Sequence, residues 1–284
     1  MQVTTTIKGW SLAGVLACAS TLTLASTAVL AEGMPGRAPR AAPFSWTGYY
    51  WGANAGVDWV RSDRFSATPD AGTLAFFNTA PVDLLPPDQK PNSKAGVVGG
   101  LQAGYNLQLG SMPGLVVGWE TDLQLTTAKA TKTSSYLYAN TANPVNQATV
   151  SAEARQEWFG TLRARLGVLV SPTLLAYVTG GLAYGEVQRD WSYSAQRPLG
   201  ATPNRINSGV STPLDIGWTA GGGVEWAMTN KMTLSVEYLY VTFDGKNFET
   251  SNFGAGCTAA VCKFSIRDGD VENHIARVKL NFKL

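Results

Sequence analysis

Residues 155–170 read Arg-Gln-Glu-Trp-Phe-Gly-Thr-Leu-Arg-Ala-Arg-Leu-Gly-Val-Leu-Val, and they sort into two faces with a period of two. Trp158, Leu162, Ala164, Leu166, Val168 and Val170 fall on one side, and Arg155, Glu157, Arg163 and Arg165 on the other. Successive side chains of a β-strand point to opposite faces, so this pattern predicts a strand with one greasy and one charged surface. The charges never cross over.

Working outward, the same alternation recurs. In 47–59, Thr47, Tyr49, Trp51, Ala53, Ala55, Val57 and Trp59 oppose Gly48, Tyr50, Gly52, Asn54, Gly56 and Asp58; in 115–126, Val117, Trp119, Leu123 and Leu125 oppose Glu120, Asp122, Gln124 and Thr126. Continued along the chain, the reading predicts eight strands at 46–60, 94–110, 115–130, 153–170, 174–192, 213–229, 231–247 and 270–284. Three connections are tight, at 111–114, 171–173 and Asn230; four are long, at 61–93, 131–152, 193–212 and 248–269. Long and short alternate strictly.

Composition agrees. Charged residues are 15% of the 284 and hydrophobics 45%, while Gly reaches 30 and the aromatics are 9 Trp, 10 Tyr and 10 Phe. An average domain carries about 25% charge, so polarity here comes from neutral groups. Glycine and aromatics in this number disfavour long helices and favour strands and turns. A net charge of +2 is too small to indicate nucleic acid as a partner.

An even number of antiparallel strands, short turns on one rim and long loops on the other, is the pattern of an outer-membrane β-barrel. Lipid cannot hydrogen-bond a sheet edge, so a membrane sheet must close on itself. A soluble eight-stranded ligand carrier would also alternate, but with charge outside and an apolar cavity within. Here the uncharged face carries Trp51, Trp59, Trp119, Trp158, Trp218, Trp226, Tyr238, Tyr240 and Phe282. Water does not bathe that much aromatic surface on a monomer. The fold expected is all-β, an eight-stranded antiparallel up-and-down transmembrane barrel.

The chain resembles the small porin-family outer-membrane β-barrel proteins of alpha-proteobacteria, a group with an OmpA-like transmembrane barrel that includes surface antigens. The likeness lies in Trp46-Thr47-Gly48-Tyr49-Tyr50, Gly104-Tyr105-Asn106, Gly118-Trp119-Glu120, Gly160-Thr161-Leu162-Arg163-Ala164-Arg165-Leu166-Gly167 and Thr179-Gly180-Gly181-Leu182-Ala183-Tyr184-Gly185. It continues in Gly217-Trp218, Gly223-Val224-Glu225 and Val236-Glu237-Tyr238-Leu239-Tyr240. The resemblance implies no catalytic residues and a C-terminal strand read by the barrel assembly machinery. Such barrels commonly end in an aromatic residue; this one ends Phe282-Lys283-Leu284, a departure at the position that signal uses.

Counting from the short turns locates a band of charge. Glu120 and Asp122 lie six and eight residues beyond Gly114, and Arg165 and Arg163 six and eight before Ser171. Glu225, Glu237 and Arg277 fall at similar offsets from their own turns or terminus. At about 2.5 Å of height per tilted residue, all seven come near mid-bilayer on the lumen face. Contacts are expected between Glu120 or Asp122 and Arg163 or Arg165, and between Glu237 and Arg277. Two readings stand side by side: a salt-bridged plug that fills the lumen, and the selectivity constriction of a narrow pore.

The ends and loops have their own signals. Residues 1–31 read as a signal peptide, with Lys8 before an apolar run and Val29-Leu30-Ala31 at the cleavage positions; an uncleaved anchor and a lipoprotein site at Cys18 are the alternatives. Residues 32–45, with Pro35, Pro39 and Pro43, read as a flexible periplasmic tail, and 46–284 as the barrel. Tyr136, Tyr138, Trp191 and Tyr193 line strand ends and loops, where they read as girdle residues or as part of a binding surface. Cys257 and Cys262 are a candidate local disulfide in the last long loop. No Cys or His neighbours complete a metal site, His274 lacks a motif that would make it a base, and neither an enzyme nor a cofactor is expected. The expected role is envelope integrity and surface interaction in the outer membrane, with lipid as the principal partner. A narrow diffusion porin, and an adhesin or receptor binding an external ligand through the loops, are the alternatives.

Overall fold

The computed structural model describes residues 44–284 apart from 63–65, 70, 72–91, 113, 139–145, 197–203, 250–251, 254–262 and 268. In chain order the strands are β1 (Gly48–Ser62), β2 (Ser66–Pro69), β3 (Asn92–Gln108), β4 (Leu115–Thr126), β5 (Lys129–Tyr138), β6 (Asn146–Ser171) and β7 (Leu174–Gln196). There follow β8 (Asn204–Ala227), β9 (Met232–Phe243), β10 (Asn247–Glu249), β11 (Asn252–Phe253), β12 (Phe264–Arg267) and β13 (Val271–Lys283).

Pairing runs β1-β13-β9-β8-β7-β6-β4-β3 and returns to β1, antiparallel throughout. β4 and β5 are one barrel strand broken at Thr127 and Ala128, since both pair with β3 and with β6. The result is a closed eight-stranded up-and-down barrel with no free edge. At the short rim, Leu109 N donates to Leu115 O (2.9 Å) and Leu115 N to Met112 O (3.0 Å). Gly114 there has φ +105°, which an L side chain rarely adopts.

The outer face of the barrel on the side of the short rim is apolar and exposed: Leu101, Leu123, Leu162, Leu166, Val178, Leu182 and Val236 alternate with buried residues. Aromatic rows bound it. Tyr49, Tyr105 and Trp119 are register partners in sequence across β1, β3 and β4 near the short rim. Trp59, His274 and Tyr240 are the corresponding row across β1, β13 and β9 near the other. Trp51 and Trp59 lie eight residues apart on β1, about 20 Å of height, close to the apolar band of a transmembrane barrel.

The strands continue past that band. β6, β7 and β8 have 26, 23 and 24 residues, where roughly 9–11 suffice to cross lipid. Much of 131–152 and 193–212, expected as loop, is therefore strand. Above the band the polarity turns over. Ala148, Val150, Ala152 and Ala154 of β6 point inward, while Thr149 and Ser151 face out and bond to Ser135 and Thr133 at 2.8 and 2.9 Å. Trp191 and Tyr193 follow the same rule. They are buried inside and stacked at 6.2 Å, not set in a girdle, because outside lipid the inward face is the apolar one. A small sheet in the order β10-β12-β2 prolongs β9, β13 and β1 in the same sequence.

Candidate functional site

Alternation sends every second residue of each strand into the lumen, and glycines there make room for long side chains. Gly104 is the register partner of Glu120, and the Tyr50 ring fills the space its side chain would take. All seven charged residues picked out from the sequence lie inside the barrel, at most 4% exposed.

Arg163 is the hub. Its Nη2 lies 2.6 Å from Glu120 Oε1 and 2.9 Å from Asp122 Oδ2, its Nη1 3.2 Å from Glu237 Oε1, and its Nε donates to Thr161 at 3.0 Å. Arg277 joins the same acids from the opposite wall, with Nη2 2.6 Å from Glu237 and 2.7 Å from Asp122. Arg165 does not take either acid of β4. It pairs with Glu225, and its guanidinium sits 3.6 Å over the Tyr177 ring. Glu225 accepts in addition from Thr233 and from Asn281, the latter at 3.1 Å. Tyr50 donates to Glu120 (2.7 Å) and Tyr177 to Glu237 (2.9 Å).

Lys279 belongs to the site as well, beyond the seven residues that counting from the turns locates. Its Nζ lies 2.5 Å from Glu120 and 3.2 Å from Glu237, fully buried. The signal was present, since Lys279 follows Arg277 by two and shares its face. The belt thus holds Glu120, Asp122, Glu225 and Glu237 against Arg163, Arg165, Arg277 and Lys279, and is neutral as a whole. Charges so desolvated are costly unless paired, and the two tyrosines, Thr161, Thr233 and Asn281 add neutral hydrogen bonds to the four acids and to Arg163.

Apolar layers close the lumen on both sides of the belt. Above lie Val60, Val98, Phe159, Val187, Leu239, Val241, Phe243, Val271 and Ile275 with several alanines. Below, at the short rim, Trp46 packs with Val116, Leu175 and Ala227. Its Nε1 donates to Pro172 O (3.2 Å), Phe44 stands edge-on to it at 4.8 Å, and Lys283 reaches the Ser45 carbonyl. Trp46 is a stopper in the mouth, not the first residue of a wall. Phe44 and Ser45, assigned from sequence to the tail, are seated with it because Phe44 has an apolar surface to bury. The space left beside Trp46, Tyr50, Glu225 and Asn281 is about 20 Å³, room for roughly one water.

His274 lies on the outer surface, its Nδ1 2.6 Å from the Tyr238 hydroxyl. Among the described residues no group of three or more His, Cys, Asp or Glu side chains is arranged to hold a metal ion. Cys257 and Cys262, and the signal peptide at 1–31, lie outside the described residues.

Comparison with known proteins agrees with this architecture. Residues 17–259 match the family model described as outer membrane protein beta-barrel domain. The chain is similar to the 31 kDa outer-membrane immunogenic protein of Brucella melitensis biotype 1, 34% identical over 282 residues that cover 98% of this chain and 100% of that one. It is also similar to the 25 kDa outer-membrane immunogenic protein of Brucella canis, 26% identical over 243 residues, 83% of this chain and 86% of the relative. Among solved structures, OprG from Pseudomonas aeruginosa is similar at 11% identity and a TM-score of 0.41, covering 84% of this chain and 97% of that one.

Proposed function

We propose that this chain, which belongs to the outer membrane protein β-barrel domain family, is a sealed barrel that strengthens the envelope and presents a rigid rim at the cell surface, and does not conduct solutes. The observation that carries the reading is the filled lumen: a neutral belt of eight interlocked charges with an apolar layer on each side. Eight strands enclose a space that side chains can fill, and here they do. The strands that rise past the lipid band, polar outside and apolar inside, support the surface role. They form a rigid platform on which the loops stand.

The supporting partners are chemical classes. Lipid covers the aromatic-bounded face, and the barrel assembly machinery engages β13, whose outward residues Ala276, Val278, Leu280 and Phe282 keep the alternation up to Leu284. Export by a cleaved signal peptide at 1–31 is part of the same proposal.

Refolded protein in planar bilayers tests it. Silence under applied voltage supports the sealed barrel, and steady discrete openings of the wild-type protein would replace it with the narrow porin.

A further inference from the structure

Above the lipid band the wall is made of two pieces. One is the sheet of β5, β6, β7 and β8, whose ladders reach the partners Gln147 and Gln196, and Ala195 and Asn204. The other is the small sheet β10-β12-β2. Ser62, Val271 and Phe243 are register partners in one rung across β1, β13 and β9. All three strands stop at that rung, and the small sheet takes up four residues further along each, at Ser66, Arg267 and Asn247. Three neighbouring strands interrupted at one level make a hinge line.

Little main chain joins the two pieces. The β8–β9 ladder ends at Gly217 and Phe243, and the next pairs on that side of β8 are Asn207 with Asn252 and Ile206 with Phe253 of β11. Between them, 208–216 of β8 has no strand partner on that side among the described residues. Pro213 lies in this stretch, and a proline in a sheet belongs at an edge or a bulge because it has no N–H to donate. Side chains take the place of the ladder. Arg189 of β7 and Asp215 of β8, both buried, pair at 3.0 Å through Nη1 and Oδ2. The other terminal nitrogen of Arg189, Nη2, donates to the main-chain carbonyl of Asp244 at 3.2 Å. Lys246 Nζ, on a half-exposed side chain, lies 2.9 Å from Asp215 Oδ1. Gly245 N donates to Asp270 Oδ1 at 2.8 Å, which joins 244–246 to the residue that leads into β13.

We propose that Arg189 and Asp215 form a latch on 244–246, and that on its release the small sheet and β11 swing away from β8 as one lid, hinged at the rung of Ser62, Val271 and Phe243, while the barrel below stays closed. The planar guanidinium can hold a carboxylate and a backbone carbonyl at once. A buried ion pair is often no better for stability than apolar side chains of similar volume, but apolar side chains cannot hold the Asp244 carbonyl. The groups that this motion bares are apolar: Ile266 of β12, the middle strand of the lid, and Trp191 and Tyr193 of the wall are all buried. Opening presents an apolar surface above the membrane, and closing hides it. The latch does not rest on the sealed-barrel reading, since the charged belt lies below the hinge: Glu237 and Arg277 are six residues from it along β9 and β13.

The test is hydrogen exchange of the refolded full chain in lipid, read segment by segment by mass spectrometry. Arg189→Met combined with Asp215→Leu removes both charges and keeps the bulk. Amides of 244–249 and 264–267 should then exchange about tenfold faster or more, as expected when a hydrogen bond to a charged group is lost, while 115–126 and 232–241 keep their wild-type rates. Should that variant fail to fold, Arg189→Lys keeps a charge opposite Asp215 but loses the fork, and should speed the same segments about tenfold. Wild-type rates in 244–249 and 264–267 in the variant that folds overturn the latch. An equal acceleration of 115–126 and 232–241 also overturns it, because the pair would then support the whole wall. Faster exchange confined to 244–246, with 264–267 unchanged, overturns the lid.

Discussion

Arg163 and Glu120 face one another across the β4–β6 ladder, 2.6 Å apart, at a point where neither side chain touches solvent. The pair is direct in register, so the strand pairing itself brings the charges together. Register and ion pair depend on each other: a slip of one residue would turn one of the two groups towards lipid and leave the other unpaired inside.

Truncating Arg163 should therefore cost far more than truncating a surface charge. Arg163→Ala leaves Glu120, Asp122 and Glu237 with Arg277 and Lys279 alone, and should destabilise the barrel by about 3–5 kcal/mol. Urea unfolding of refolded protein in lipid reads the change. Arg163→Met combined with Glu120→Gln removes one charge of each sign and should recover at least half of the loss. If the single variant unfolds at the wild-type urea concentration, the belt is not what fixes the wall.

The turnover of polarity along β6 gives a second expectation. Leu162 is exposed on the lipid face and Thr149, on the same strand and also outward, stands above the band. Leu162→Arg should cost about 2–4 kcal/mol, the price of a charge near the bilayer midplane. Thr149→Arg should stay within about 0.5 kcal/mol of wild type. Equal effects at the two sites would show that the boundary drawn by the aromatic rows is misplaced.

Much of this was legible in the chain, and the part that was not has a physical cause. Within lipid, alternation contrasts Leu and Val with Arg, so residues 160–170 declare themselves, whereas the bulge between Gln156 and Phe159 turns Arg155 and Glu157, expected on the face of Arg163 and Arg165, to the outside. Above lipid the contrast narrows to Ala148, Val150 and Ala152 against Thr149 and Ser151, and its sense inverts, so a strand passes for a loop. Trp191 and Tyr193 were misplaced by the same inversion. Inside the barrel, period two assigns the face while shear assigns the partner. Glu237 and Arg277 are adjacent in register, whereas Arg165 reaches Glu225 on a strand that is not its neighbour. Nothing in a linear sequence marks Tyr50 and Tyr177 as the hydroxyls that complete the acids.

Export makes a prediction of its own. Cleavage after Ala31 leaves Glu32 as the first residue and removes one cation, Lys8, and no acid. Intact mass of protein from the outer-membrane fraction should correspond to residues 32–284. A mass that retains the apolar run identifies an anchor instead, and a diacylglycerol adduct at Cys18 a lipoprotein.

The stopper at the short rim can be removed without touching a charge. Trp46 is nearly fully buried against Val116, Leu175 and Ala227, with its indole N–H on the Pro172 carbonyl. Trp46→Ala should cost about 3 kcal/mol or more, from lost burial and the cavity left behind. Its effect on permeation separates the layers. If the belt alone seals the lumen, the variant is destabilised yet silent in planar bilayers. Openings in Trp46→Ala that are absent from wild type would assign the seal to the mouth rather than to the interlocked charges, because Glu225 borders the same small space as the indole and would then be wet.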